Sequence, residues 1–171
     1  MNKIKQPAFL CIFFMLLLFR PAVHAQDNPG DIFLGAGLSY GEKFEELGLQ
    51  LGGYYILNEN MRVGGDFTYW FIDSPTGFSN TYFELNGNFH YLFYNENDIS
   101  LYGIGSLGLH YASWEWTFLG DTVSDSDTEI GLGLGAGAEY NLGAVKLYAE
   151  PRLFLTGFDQ FCISIGVRYG L

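Results

Sequence analysis

The stretch that most restricts this chain is its last one. From Phe161 to Leu171, Phe161, Ile163, Ile165, Val167, Tyr169 and Leu171 stand at every second position. Between them lie Cys162, Ser164, Gly166, Arg168 and Gly170. Alternation of that length predicts a strand with one apolar face and one polar or small face. A terminal strand of this kind either pairs on both edges or leaves an apolar edge open to aggregation. Pairing it with the first strand removes the edge, so the pattern predicts a closed sheet.

The first residues read as a leader. Lys3 and Lys5 precede an apolar run from Ala8 to Phe19, and Val23-His24-Ala25 offers a cleavage site. Residues 1–25 are therefore expected to be a secretory signal peptide and 26–171 a single domain. Cys11 lies inside the apolar run, which argues against lipidation. Loss of Lys3, Lys5 and Arg20 with no acid would take the formal charge from -11 to -14. Such an acidic chain has no electrostatic footprint for nucleic acid. Cys162 would be the one cysteine left, so no intrachain disulfide is expected. No later segment is long and apolar enough for a transmembrane helix. The 23 glycines and 18% aromatic residues suit tightly curved strands with aromatic belts instead.

Taken in order, alternation predicts strands over 31–40, 45–57, 61–72, 81–93, 99–113, 129–140, 145–155 and 160–171. Asn58-Glu59-Asn60 and Asn95-Glu96-Asn97-Asp98 read as tight turns, and residues 141–143 as another. Residues 73–80 read as a longer loop, and Trp114 to Thr128 as the longest irregular piece. Pro151 is a misfit inside a strand, where a bulge would shift the register and endanger the placement of Arg152.

Eight strands with alternately tight and longer connections predict an all-β fold. It is an eight-stranded antiparallel up-and-down transmembrane β-barrel, with short turns on the periplasmic side and longer loops outside. A water-soluble barrel would turn its apolar face inward. Here the second face carries Arg62, Asp66, Glu84, Glu139, Lys146, Glu150, Arg152 and Arg168 among glycines, which suits a narrow interior. The apolar face is then left for lipid.

On these residues the chain resembles the small eight-stranded outer-membrane proteins, of the outer-membrane protein X and outer-membrane protein A membrane-domain type. Ser164-x-Gly166-x-x-Tyr169-x-Leu171 is similar to the terminal signal read by the barrel-insertion machinery. The resemblance implies that machinery as a partner, with outer-membrane lipid and lipopolysaccharide around the wall.

The inward charges are expected to form a side-chain network plugging the barrel, since eight strands leave room only for side chains. Within it Glu139 should pair with Lys146, its neighbour across the expected turn, or with Arg168. His90 and His110 raise the alternative of a lipid A-modifying barrel enzyme. The residues two after them are Leu92 and Ala112, and Ser113 falls on the opposite face, so neither histidine has a nucleophile to activate. Both are expected to be hydrogen-bonded interior groups. Asp121, Asp125, Asp127 and Glu129 match no calcium-loop spacing and read as a solvated acidic loop. Trp114, Trp116 and Phe118 are expected to anchor at the membrane interface. The reading is a non-enzymatic barrel without cofactor or metal, serving envelope integrity or contacts with a surface partner. A small transport or signalling barrel is the other alternative.

Overall fold

The computed structural model describes residues 28–43, 45–74, 78–118 and 121–171. The expected leader and its cleavage site lie outside these residues, as do Pro75 and Gly77. Eight strands follow in order: β1 (Ile32–Gly41), β2 (Glu46–Asn58), β3 (Met61–Trp70), β4 (Phe78–Glu96), β5 (Ile99–Phe118), β6 (Asp121–Asn141), β7 (Val145–Phe154) and β8 (Gln160–Gly170). Each pairs antiparallel with its neighbour in sequence, and β8 pairs with β1 from Phe33↔Gly170 to Gly41↔Cys162, closing the barrel. The alternating terminal strand thus gains a partner on both sides.

The alternation sorts the side chains as read. Leu34, Leu51, Phe67, Leu85, Leu107, Leu132, Leu153 and Ile165 are exposed on the outer wall, whereas the charged face is buried. In water such an exterior would be an uninterrupted apolar surface; in a bilayer it is the ordinary outer band of a barrel.

The start of β1 and the end of β8 lie at the same end of the barrel as three short connections. The β4–β5 connection is a two-residue turn, Asn97-Asp98, between the closing pair Glu96↔Ile99. Both turn residues have positive φ, 50° and 67°, which Asn and Asp tolerate better than other side chains and which matches strand twist.

At the opposite end the chain departs from expectation. The described residues 114–118 and 121–128 are not irregular: β5 and β6 continue pairing from His110↔Glu129 out to Phe118↔Asp121. Strand β4 runs with them, its first pair being Phe78↔Trp116. The β3 ladder stops at Trp70↔Tyr82 and the β7 ladder at Phe154↔Gly133. A three-stranded sheet therefore projects beyond the closed wall. From Ala112, level with the last β3 pair, to Trp116 is about 13 Å along the strand. Here polar residues occupy both faces of β6, Asp on one and Ser and Thr on the other, so the hydrophobic alternation that marks the wall strands vanishes. Cross-strand pairs hold the ladder instead, among them the stacked rings of Phe78 and Trp116, 6.3 Å apart.

Pro151 leaves a gap without a slip. Strand β7 pairs with β6 in one constant register from Gly133↔Phe154 to Asn141↔Lys146, with Ala136 and Gly137 left without partners opposite Pro151 and Glu150. The missing N–H costs a ladder bond, while unbroken pairing with β8, Pro151↔Ile163 included, holds the strand in place. Arg152 keeps its inward position and is buried.

Candidate functional site

The lumen is filled in layers. Near the turn end Phe33, Tyr54 and Ile56 form one apolar cluster and Leu92, Tyr102 and Ile104 a second. Near the opposite end Trp70, Tyr82, Phe154 and Cys162 close the bore, with Ile72, Ala112 and Phe158 packed against them.

Between these layers the charges alternate. Arg62 donates to Glu139 at 2.8 Å, and Arg168 bonds both Glu139 and Glu150. Arg152 donates to Glu150 at 2.6 Å and to Asp66 at 2.7 Å. Six residues thus form one chain of alternating sign, Arg62–Glu139–Arg168–Glu150–Arg152–Asp66. Three guanidinium forks serve three carboxylates, a geometry that lysine's single ammonium does not provide. All six are at most 3% exposed. Burying charges at that depth is tolerable only when each is paired and hydrogen-bonded.

The remaining two charges lie nearer the two ends of the lumen. Glu84 sits near the projecting end and accepts from Trp70 Nε1 at 3.1 Å and from Gln160 Nε2. Lys146 lies near the turn end with its ammonium 4.5 Å from the centre of the Phe33 ring. The expected register of Glu139 with Lys146 does not form: Glu139 pairs with Tyr148, and Lys146 with Asn141. The ladder is one pair longer than read and the turn lies one residue further along, since Asn141 still belongs to β6 and its Oδ1 accepts from Gly143 N–H at 2.9 Å.

Several members of the cluster were not singled out from the sequence. Tyr102 Oη donates to Glu150 at 2.8 Å and accepts from Arg168 at 2.9 Å. The Arg168 guanidinium stacks 4.1 Å from the Tyr148 ring and 4.4 Å from that of Tyr54. Asn88 and Asn86 donate to Asp66 at 2.5 and 3.1 Å. Each lies at an inward position of its strand, so parity was the available signal. Aromatic and amide residues on that face were simply not counted with the charges.

The histidines differ from one another. His90 Nδ1 accepts from Arg62 Nε at 2.9 Å, as an interior group should. His110 is buried between Phe154 and Phe158, and neither ring nitrogen has a hydrogen-bond partner in the protein. This corrects the expectation of two hydrogen-bonded histidines. Among the described residues no group of three or more His, Cys, Asp or Glu side chains could hold a metal ion.

The terminal motif divides between faces. Ser164 and Gly166 point inward, and Tyr169 and Leu171 share the outer face. Ser164 Oγ lies 2.7 Å from Ser39 Oγ. Gly166 pairs with Gly37, and a Cβ on either would come within 2.7 Å of Tyr148 Oη. The two glycines clear the space in which Tyr148 reaches Gln50 Oε1, at 2.9 Å.

The projecting sheet has two unlike faces. Strand parity puts Phe78, Asn80, Trp114, Trp116, Val123, Asp125 and Asp127 on the face continuous with the barrel interior. Ser79, Thr81, Ser113, Glu115, Ser124 and Ser126 form the other. Trp114 and Trp116 are therefore not on the lipid-facing side, which overturns their reading as interfacial anchors. Both are exposed, at 45% and 44%.

No family model matches the chain, and no curated protein matches it. Solved structures do. Ail, the attachment invasion locus protein of Yersinia pestis, is 19% identical, with a TM-score of 0.58 over 83% of this chain and 97% of that one. Its fold is that of the small outer-membrane barrels. Neisserial surface protein A is similar at 17% identity and TM-score 0.58, covering 81% of this chain and 94% of its own. The N-terminal β-barrel domain of OprF from Pseudomonas aeruginosa matches at 11% identity and TM-score 0.55, over 85% and 100%. A further structure of Ail holds the heparin analogue sucrose octasulfate.

Proposed function

We propose that this protein is an integral outer-membrane β-barrel, non-enzymatic, with a sealed lumen and a working surface on the sheet that projects outside the cell. The observation that carries this reading is the sheet itself. Three strands leave the wall together, and their aromatic side chains stay exposed rather than entering lipid or core. The short turns Glu59-Asn60, Asn97-Asp98 and Leu142–Ala144 then face the periplasm, the usual arrangement in such barrels. Residues 1–25 would be the export signal, and the Ser164, Gly166, Tyr169 and Leu171 motif the feature read by the insertion machinery.

The lumen supports this reading over a transport barrel, because apolar layers cover the ion-pair chain at both ends. The histidines support it over a lipid-modifying enzyme: His90 is engaged by Arg62, and His110 faces phenylalanine rings. An anion such as the one Ail binds does not suit this chain's outer end. There the described loops and projecting strands carry Glu42, Glu45, Glu46, Glu115, Asp125 and Asp127, and Lys43 as their one cation.

The test is to shorten the β5–β6 hairpin by joining Ser113 to Ser126 through a short turn. Intact cells carrying the shortened protein should lose adherence to neighbouring cells and protein-coated surfaces, with the amount of barrel in the outer membrane unchanged. Equal adherence by both cell types would place the function elsewhere.

A further inference from the structure

We propose that the aromatic face of the projecting sheet is a docking site for an extended, basic segment of a partner protein, bound by its side chains and not by strand addition. The proposal rests on the reading that the sheet is the working surface, and it names the chemistry of what that surface takes.

The free edges come first, because an exposed strand edge ordinarily offers backbone groups for another strand to join. In β6 the carbonyl of Leu132 accepts from the Leu155 amide, so the even-numbered residues turn their backbone groups toward the β7 side. Beyond the wall that side is the open edge. There the Ser126 N–H donates to Asp125 Oδ1 at 2.9 Å, and the Thr128 N–H to Asp127 Oδ1 at 2.8 Å. On the β4 edge the Asn80 N–H donates to Ser74 Oγ at 3.0 Å. On both edges backbone donors at these positions are thus already taken by side chains, and β6 adds a row of negative charge. Strand addition would have to break these bonds. The edges are blunted and the face is left.

That face is arranged in cross-strand rows. Phe78, Trp116 and Val123 form one apolar row, the two rings stacked. One row closer to the membrane stand Asn80, Trp114 and Asp125, and the next holds Tyr82, Ala112 and Asp127. Each Asp therefore lies one strand from the indole side of the face. A lysine or arginine seated over Trp114 meets the indole π-face and the Asp125 carboxylate together, a combination that attracts cations and repels anions. An aliphatic residue two positions along the segment reaches the Phe78–Trp116–Val123 row, since alternate side chains of an extended peptide are spaced like the rows themselves.

The test uses the purified full-length barrel in lipid nanodiscs and a fluorescent ten-residue peptide with arginine and valine in turn at every second position and serine between them, so that both face the sheet. The same peptide with glutamate in place of each arginine serves as control. Anisotropy should report saturable binding of the basic peptide, with quenching of tryptophan fluorescence, and no binding of the acidic one. The double variant Trp114→Ala with Trp116→Ala should weaken binding by roughly tenfold, and so should Asp125→Asn with Asp127→Asn. A further variant, Ser113→Glu with Glu115→Ala, keeps the net charge and alters only the other face, so it should bind as the unmodified protein does. Binding unaffected by the tryptophan pair, or lost equally in the opposite-face variant, would show mere attraction to an acidic surface and overturn the proposal. A partner segment that pairs by backbone would bind equally well after every side-chain change on the face, and that outcome would overturn it too. If the shortened hairpin abolishes cell adherence while the basic peptide fails to bind, the sheet remains the working surface and only the assigned partner chemistry is wrong.

Discussion

Glu139 is the residue on which the interior charge chain turns, since it joins Arg62 and Arg168. Changing it to Gln removes the charge that holds two buried guanidinium groups together. The barrel should lose roughly 3–5 kcal/mol, as is typical when one member of a buried pair is removed. Urea unfolding in detergent, followed by tryptophan fluorescence, measures the loss. Adding Arg62→Met to Glu139→Gln should recover part of it by removing one stranded charge. Gly166 poses a second question at this scale. A Cβ there would stand 2.3 Å from the Ala36 carbonyl oxygen and 2.7 Å from Tyr148 Oη. Gly166→Ala should therefore destabilise the folded barrel by about 1–3 kcal/mol, the cost of overpacking. Refolding into pure lipid vesicles, where no insertion machinery is present, isolates that effect. Normal stability in vesicles with poor assembly in cells would make the glycine a recognition element only.

Among the elements, the β5–β6 hairpin and β7 behave in opposite ways. Among the described residues the hairpin outside the wall makes no ladder pair with β3 or β7, so deleting 114–125 should leave the unfolding midpoint of the barrel unchanged to within about 0.5 kcal/mol. A large loss would mean that the sheet braces the wall. In β7, Pro151 interrupts the ladder with β6 opposite Ala136. Pro151→Ala supplies the missing donor, and hydrogen exchange should find the new amide at 151 protected like its neighbours. A fast-exchanging amide there would mean that the gap reflects strand separation and not merely the absent N–H.

For the molecule as a whole, the apolar layers at both ends of the lumen decide conduction. Planar-bilayer recording of the unmodified protein should show no steady, large conductance; a stable open level would mean that the layers part and the ion-pair chain is a path. Orientation is checked on intact cells. A cysteine introduced at Asp125 should react with a membrane-impermeant maleimide, and one introduced at Glu59 should not. The reverse pattern would put the projecting sheet in the periplasm and remove the basis for a surface role.

The wall of the barrel was legible in the sequence because a strand between lipid and a packed interior must alternate strictly. Leu34, Leu51, Leu85 and Ile165 could face only one way once Arg62, Asp66, Glu150 and Arg168 faced the other. Closure followed from the alternation of β8, since an apolar strand requires partners on both edges. Where a strand has water on both faces that constraint disappears. Thr122 to Thr128 pair as regularly as any wall segment, but polar residues stand on both faces, Ser and Thr alternating with Asp, and the stretch read as a loop. Tertiary structure alone decided who meets whom inside. Parity places Glu139, Lys146 and Arg168 in one lumen, but the choice among them depends on register and reach. One extra pair at the β6–β7 turn set Glu139 beside Tyr148 and gave its carboxylate to two arginines arriving from β3 and β8.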